Sequence, residues 1–247
     1  MGFGQANSSN FSIKLKSVPM KYVELHCHTT YSNRNGVIEC LSTPEELLRE
    51  AATIGLNAIA ITDHNTMKGY FEARELAEKF NLAVIPAEEF DTDGKGQILG
   101  YGISEGIEPN RPAEEIIDDI HKYGGLAVVA HPFDVVRGME NIDRIVDLAD
   151  GLEILNHGAF CNYKANELAR NRNKKIRTGG SDAHHHRILG SVVTVFPDEC
   201  ITEEDYLHCL RKGEFKIEPR RNYCFSLLLG IANIIYTRTV WLLNKNE

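Results

Sequence analysis

Two histidines, His26 and His28, stand one residue apart near the end of the apolar segment "YVELH". Side chains at alternate positions of a β-strand lie on the same face, so we expect both imidazoles to face one way. Imidazole nitrogens bind divalent metal ions, and such a pair would offer two ligands at once. Buried histidines that form hydrogen bonds within a core give the same short pattern. The choice between a metal site and a core pair depends on the rest of the sequence.

Further residues of metal-binding type stand at the ends of most other apolar segments. These segments include "AIAITDH", "AVIPAEE", "LAVVAHP", "GLEILNH" and "GGSDAHHH". The candidates in them are Asp63, His64, Glu88, Glu89, His131, Glu153, Asn156, His157, Asp182, His184, His185 and His186. Any one of them is weak evidence, but histidines that only pack in a core have no reason to recur at segment ends. The joint pattern therefore favours a metal centre.

Stretches with helical periodicity separate these apolar segments. Thr43, Pro44 and Glu46 have the pattern of a capping box with proline at the first helical position, and Gly55 marks the helix end. Helical patterning also covers residues 67–80, 112–123, 141–149, 163–173 and 202–212. Strands that alternate with helices predict an α/β fold with a parallel sheet, and seven or eight such units favour a closed barrel. The strand ends of such a barrel open on one face, where ligands distant in sequence would converge.

The composition is that of an ordinary globular protein, with 43% hydrophobic and 25% charged residues. The formal net charge of -8 argues against a dedicated nucleic-acid surface. The six cysteines are scattered without a C-x-x-C pair, and no signal peptide is recognisable, so we expect a cytoplasmic protein.

The motifs "ELHCHTTYS", "ITDHN", "IPAEEF", "AHPF" and "GGSDAH", in this order and spacing, resemble the PHP (polymerase and histidinol phosphatase) superfamily. The resemblance runs from about Val23 to Phe196. It implies a distorted (β/α)7 TIM-like barrel over residues 21–215, two or three divalent metal ions (Zn²⁺, Mn²⁺ or Fe²⁺) and hydrolysis of phosphoesters by a metal-activated water.

The resemblance also implies a ligand set. One metal would be bound by His26, His28, Glu89 and Asp182, and Glu89 is preferred to Glu88 because it occupies the glutamate position of the family's Pro-Gly-x-Glu pattern. The second metal would share Glu89 and add His131, and the third would be held by His64 and His184. The implied catalytic residues are Glu89, His131 and Asp182. Asp63 and Asn156 are expected to orient ligands rather than to bind metal.

Two departures from the family pattern leave open whether two or three metals bind. The family often has an acidic residue or histidine where this chain has Asn33 and Arg34, and a histidine near Gln97. His157 is an alternative ligand that could compensate. Arg34 could instead donate hydrogen bonds to a substrate phosphate. The predicted substrate-binding residues are Arg34, His185 and Arg187, each of which could equally be a solvated surface residue.

The two termini differ from the predicted domain. Residues 1–20 are polar and expected to be flexible, whereas residues 216–247 contain the apolar stretch 224–243. That stretch includes Asn233, Thr237 and Arg238, so packing on the barrel or an oligomer contact is favoured over a membrane helix.

Three functions compete at this point. The first is hydrolysis of phosphoesters on small molecules such as nucleotide, sugar or amino-alcohol phosphates. The second is a 3′–5′ exonuclease or polymerase-accessory module, which the acidic charge disfavours because nucleic-acid binding draws on phosphate contacts from Lys and Arg. The third is a metal-binding protein with weakened catalysis.

Overall fold

A computed structural model describes residues 20–34, 37–159 and 161–220, with the side chains of residues 33–34 and 37–38 excepted. The strands are β1 Met20–Cys27, β2 Asn33–Arg34, β3 Val37–Ile38, β4 Ala58–Ile61, β5 Ala83–Ile85, β6 Ala87–Asp91, β7 Gln97–Tyr101, β8 Leu126–Val129, β9 Gly151–Asn156, β10 Ile176–Gly180, β11 Val192–Pro197 and β12 Lys216–Pro219. The helices are α1 Pro44–Thr53, α2 Lys68–Phe80, α3 Ala113–Lys122, α4 Ile142–Leu148, α5 Asn162–Asn171 and α6 Glu203–Lys212, and a short 3-10 helix spans His186–Ile188. All the helices predicted from the periodicity are present.

Local sequence signals set the ends of these helices. Thr43 and Glu46 form the predicted capping box of α1, and Thr202 and Asp205 form a second one that begins α6. Each box satisfies backbone N–H groups that have no partner within the helix. Gly213 ends α6 with a φ of 72°, a left-handed conformation that favours glycine.

The long strands form two five-stranded sheets in a mixed α/β fold. The first has the order β12-β11-β1-β4-β5 and the second β10-β9-β8-β7-β6. The expected all-parallel arrangement is wrong, because β11 runs antiparallel to β1 and to β12, and β7 runs antiparallel to β6 and to β8. The turn from β6 directly into β7 is a hairpin without a crossover helix, which forces this reversal.

Isolated bridges connect the two sheets at the end where the predicted ligands lie. Cys27 bridges to Ala183, and His64 bridges to Glu89. Two backbone hydrogen bonds reinforce the first junction, from His28 N to Ala183 O at 3.0 Å and from Asp182 N to His26 O at 2.8 Å. The described strands therefore meet at the site but form no continuous closed sheet, and the closed (β/α)7 barrel is not confirmed.

Apolar side chains fill the space between the sheets and the helices. Fully buried residues such as Leu47, Ile59 and Ile116 join the helices α1 and α3 to the strands, and a second cluster contains Leu25, Tyr101 and Phe196. Burial at this scale fixes the strands firmly, so the residues at their ends are held on a rigid scaffold.

Parts of the predicted termini lie outside the described residues. These are residues 1–19 and 221–247, which include the apolar stretch 224–243. Within the described part, no helix has the length and apolar character that a membrane crossing requires. Residues 216–219, beyond the predicted domain, form β12 and pair with β11.

Candidate metal centre

The structure brings all seven predicted metal ligands together at one end of the strands. Three groups of ligand atoms converge, and within each group all ligand atoms lie within 4.8 Å of one another. The groups are His26 with His28 and Glu89, His26 with His131 and Asp182, and His28 with His64 and His184. Because His26 and His28 each belong to two groups, the three groups form one continuous centre.

Glu89 lies at the middle of this centre. Its Oε2 is 3.4 Å from the Nε2 atoms of both His26 and His28 and 3.1 Å from Nδ1 of His64. Its Oε1 is 3.3 Å from Nε2 of His131. The neighbouring Glu88 belongs to none of the groups, because successive residues of β6 point to opposite faces. If metal ions bind here, Glu89 would hold them together with these histidines.

Asp182 approaches the same histidines from the loop after β10. Its Oδ1 lies 3.1 Å from Nε2 of His28 and 3.5 Å from Nε2 of His26. Its Oδ2 accepts a hydrogen bond from Nη1 of Arg137 at 2.8 Å and one from Nδ2 of Asn156 at 3.3 Å. One oxygen therefore faces the histidines while the other is fixed by two donors.

Glu153 positions two of the histidines from β9. Nδ1–H of His26 donates to Glu153 Oε1 at 3.0 Å, which directs Nε2 of that ring toward Glu89. The other carboxylate oxygen accepts from the backbone N–H of His131 at 2.9 Å and from Nδ2 of Asn156 at 3.0 Å. A carboxylate behind a histidine fixes its ring orientation and tautomer and raises its basicity toward a metal.

Other polar residues hold the ligands from behind. Asp63 accepts from the backbone N–H of Thr29 at 2.5 Å and from its hydroxyl at 2.6 Å, so both carboxylate oxygens are engaged away from the metal groups. Ser32 Oγ lies 3.1 Å from Nδ1 of His28, and the Gln97 amide nitrogen lies 3.1 Å from Nδ1 of His64. Gln97 thus contacts a ligand although it stands where the family often has a histidine.

Electrostatics favour the metal-binding protonation state at three of the candidate ligands, Glu89, Asp182 and His28. At His26, burial opposes protonation, yet the charges of Glu153, Asp182 and Glu89 raise the pKa of the imidazole well above its usual value. Burial opposes ionisation of Glu89, yet the charges of His26 and His64 hold the pKa of its carboxyl well below the usual range. Burial also opposes ionisation of Asp182, yet the Arg137 guanidinium holds that pKa well below its usual range. Burial, with help from His184 and His64, lowers the pKa of His28 far enough to keep the ring neutral. Metal ligation needs ionised carboxylates and neutral imidazoles.

Several polar atoms at the centre are buried without a hydrogen-bond partner among the described residues. They are Nε2 of His26, Nε2 of His131 and both carboxylate oxygens of Glu89. Burying such atoms without partners costs free energy, so atoms that point at one another across a small gap indicate a cation between them. The imidazole and carboxylate donors suit Zn²⁺, Mn²⁺ or Fe²⁺. The residues present therefore fit a group of divalent metal ions.

The backbone is strained at two of these ligands. His131 has a φ of 25° and Asp182 a φ of 51°, in the left-handed region that non-glycine residues seldom adopt. Such strain persists where surrounding structure determines the conformation, and it is concentrated at functional sites. Here the conformation is fixed by two hydrogen bonds, from the backbone N–H of His131 to the Glu153 carboxylate and from the backbone N–H of Asp182 to the carbonyl oxygen of His26.

Two residues at the centre were not identified from the sequence. Oε2 of Glu39 lies 3.2 Å from Nε2 of His64, and its side chain is 27% exposed. Arg137 contacts both Asp182 and Asp134 from the loop after β8. The signals that could have found them are an acidic residue between "YSNRNG" and the helix cap Thr43, and an arginine in the loop that follows "AHP".

The predicted substrate-binding residues are less closely tied to the centre. The backbone of Arg34 forms part of β2, but its side chain lies outside the described part. His185 accepts a hydrogen bond from the backbone N–H of Arg187, and its ring packs at a tilt against that of His186, so its described contacts lie along the 3-10 helix. Arg187 is exposed. The alternative ligand His157 is buried but belongs to none of the three metal groups.

Three curated relatives share part of this sequence. An uncharacterised protein of Methanocaldococcus jannaschii is 34% identical over 139 residues, which are 54% of this chain and 80% of the relative. The error-prone DNA polymerase of Cutibacterium acnes is 40% identical over 139 residues, 53% of this chain but only 11% of the polymerase. Phosphoribosyl 1,2-cyclic phosphate 1,2-diphosphodiesterase of Eggerthella lenta is 35% identical over 88 residues, 34% of this chain and 31% of that enzyme.

Two solved structures share the fold. A two-domain protein from Bacteroides vulgatus that contains a predicted PHP-like metal-dependent phosphoesterase superposes with a TM-score of 0.66 at 16% identity, covering 86% of this chain and 69% of that one. The lesion-specific endonuclease Q from Pyrococcus furiosus superposes with a TM-score of 0.60 at 18% identity, covering 81% of this chain and 58% of that one.

Family models account for nearly all of the described domain. The PHP-associated model matches residues 161–215, which include Asp182 and His184. The PHP domain model matches residues 24–176, which include the other five converging ligands. With more than half of its length matched, and with the ligand groups built from the matched motifs, the chain belongs to the PHP domain family of metal-dependent phosphoesterases.

Proposed function

We propose that this protein hydrolyses phosphoesters of small molecules, such as nucleotide, sugar or amino-alcohol phosphates, with two or three divalent ions chosen from Zn²⁺, Mn²⁺ and Fe²⁺. The observation that carries the proposal is the convergence of three ligand groups on the buried carboxylate of Glu89. When bound, such ions activate a water molecule and offset the negative charge of the phosphoryl group.

The protein's own residues position the groups that would take part in this reaction. Glu89, His131 and Asp182 are the proposed catalytic residues, because each directs a donor atom at the place where the reacting groups would meet. Glu153 keeps His26 oriented and holds the backbone of His131. These contacts fix the ligand geometry before the substrate arrives, which is the requirement for electrostatic stabilisation of a transition state.

We assign roles to two further residues near the candidate metal centre, Arg137 and Glu39. Arg137 is 24% exposed and shares its guanidinium between Asp182 and Asp134, so we assign its remaining N–H groups to a substrate phosphate. Glu39 supplies the acid that the segment at residues 33–34 lacks, and we assign it to the group of His28, His64 and His184. Arg34, His185 and Arg187 stay predicted substrate contacts.

The proposal also covers the fold of the domain and its cellular location. The bridges from Cys27 to Ala183 and from His64 to Glu89 support a distorted (β/α)7 barrel over residues 21–215 that is closed at the metal centre. Unpaired cysteines at every described position support a reducing, cytoplasmic setting.

A second candidate is hydrolysis of phosphodiesters in nucleic acid. The observations that favour it are the sequence likeness to the polymerase of Cutibacterium acnes and the shared fold with endonuclease Q. The net charge of -8 counts against it, because affinity for nucleic acid draws mainly on cationic side chains that contact phosphates.

One experiment separates these candidates. The purified chain is loaded with Mn²⁺ or Zn²⁺ and assayed against a panel of phosphorylated metabolites, single-stranded DNA oligonucleotides and duplex DNA, with Asp182→Asn as the blank for contaminating phosphatases. The proposal predicts that the wild-type chain hydrolyses small phosphoesters and that Asp182→Asn does not. Turnover confined to the oligonucleotides would establish the second candidate, and metal binding without turnover of any substrate would indicate a protein with weakened catalysis.

A further inference from the structure

Two cysteines lie against each other where the turn after β11 meets α6. Sγ of Cys200 and Sγ of Cys209 are 3.0 Å apart, and both side chains are buried. Cys200 follows β11 in a turn closed by a hydrogen bond from its N–H to Pro197 O, and Cys209 lies in α6. Neither cysteine forms part of the metal centre, and the proposed function makes no use of them.

The surroundings of this pair argue against a metal site. None of the groups of converging His, Cys, Asp and Glu atoms found among the described residues includes Cys200 or Cys209. Their neighbours are mainly apolar, since both belong to the core cluster that contains Phe196, Tyr206 and Leu210. Two thiols without further ligands do not make a stable zinc site, which needs about four ligands.

We propose that Cys200 and Cys209 are a redox modification site, in which a small-molecule disulfide converts the two thiols into one intramolecular disulfide. The sulfur atoms need to approach by only about 1 Å to reach bonding distance. The neighbour of Cys200 in the turn, Ile201, is 72% exposed, so the pair lies just beneath the surface and a small oxidant has a short path to it.

The exchange proceeds in two balanced steps. The thiolate of one cysteine attacks the small disulfide, forms a mixed disulfide and releases one small thiol. The thiolate of the second cysteine then attacks the protein sulfur of that mixed disulfide, closes the protein disulfide and releases the second small thiol. The protein loses two electrons and two protons, and both pass to the small disulfide, which is reduced.

Burial makes this a slow reaction at neutral pH. It raises the pKa of the Cys200 thiol to about 12, with a further contribution from the adjacent Cys209, so little thiolate is present. The rate should therefore increase as the pH rises.

Once formed, the disulfide connects the turn after β11 to α6. Because a disulfide restricts the conformations of the unfolded chain, we expect the melting temperature to rise by about 5 °C or more.

The test follows a single tryptic peptide. Residues 188–211 contain both cysteines and no lysine or arginine before Arg211, so trypsin releases them together. The full chain is reduced, incubated with excess oxidised glutathione, alkylated under denaturing conditions and digested. The proposal predicts that this peptide loses the mass of two hydrogen atoms and takes up no alkylating reagent, and that dithiothreitol reverses both changes.

Single-cysteine variants give the matched controls. Cys209→Ser removes the resolving thiol, so it should lose both the intramolecular link and the gain in melting temperature, whereas Cys161→Ser, at the partly exposed thiol, should retain both. The wild-type peptide decides the proposal even if a variant fails to fold. Full alkylation of both cysteines after oxidation, or a stable glutathione adduct in place of the internal link, would overturn it.

Discussion

At the scale of single residues, the centre depends on which of two adjacent glutamates faces it. Glu89 reaches four histidines, whereas Glu88 points to the opposite face of β6. Burial raises the pKa of Glu88 to about 8, so this carboxyl is mostly neutral at pH 7. The two side chains therefore have different roles although they are adjacent in the sequence.

This difference gives a mutational test. Glu89→Gln removes a negative oxygen at the proposed metal bridge, and Asp182→Asn does the same after β10, so each should lower phosphoesterase turnover by at least about 100-fold. Glu88→Gln is the matched control, because glutamine resembles the neutral acid already present there, and it should retain most of the activity. Steady-state kinetics of folded, metal-replete variants would check this, and near-wild-type turnover of Glu89→Gln would remove that residue from the mechanism.

Arg137 gives a second prediction. If its guanidinium binds the substrate phosphate, Arg137→Met should raise KM by roughly 10- to 100-fold, since a hydrogen bond to a charged group contributes about 1.5–3 kcal/mol. Arg172→Met, which breaks surface ion pairs with Asp143 and Asp147, is the control and should leave KM unchanged.

Metal content has to be measured alongside KM for this variant, because Arg137 also holds Asp182. A raised KM with full metal content supports phosphate binding. Loss of metal with no change in KM after metal is restored would show that Arg137 only positions Asp182.

The sequence could predict which candidate ligands converge but not every contact around them. His26, His64, His131 and Asp182 each follow or end a recognisable apolar strand, so strand geometry alone brings them together. Glu39 and Arg137 lie in irregular loops, whose paths depend on tertiary contacts rather than on periodicity. Their proximity to His64 and Asp182 could therefore be seen only in three dimensions.

At the scale of secondary-structure elements, helices were easier to predict than strand directions. Thr43 with Glu46 and the apolar periodicity marked α1 clearly, and periodicity alone located α6. The antiparallel course of β7 was missed because direction depends on connections and sheet order, which local patterns do not encode.

The capping box of α6 can be tested by stability. Thr202 accepts a hydrogen bond from Asp205 N at 3.3 Å, and Thr202→Ala should lower the free energy of unfolding by about 1 kcal/mol, or roughly 2–4 °C in melting temperature. Thr53→Ala, at an exposed position near the end of α1, is the control and should cost nothing. Differential scanning calorimetry checks both, and equal stability of Thr202→Ala and the wild type would exclude a stabilising cap.

At the scale of the whole molecule, the centre joins the two sheets, so its occupancy should affect global stability. A ligand that binds only the folded state at 100 times its dissociation constant stabilises it by about 2.7 kcal/mol, which corresponds to roughly 5–10 °C in melting temperature. We expect Mn²⁺ or Zn²⁺ to raise the melting temperature of chelator-treated protein by this amount. An equal rise in the double variant His26→Ala, His28→Ala would show that the metal stabilises the protein from another site.

The most direct measurement of the central claim is the metal content of the purified protein. After expression and purification with Mn²⁺ or Zn²⁺, elemental analysis should find two or three equivalents of divalent metal per wild-type chain. The double variant His26→Ala, His28→Ala should lose most of it, because these residues contribute to all three ligand groups. The control His121→Ala, His208→Ala, at two exposed histidines, should keep the wild-type content. A folded His26→Ala, His28→Ala protein that retains its full metal content would contradict the account.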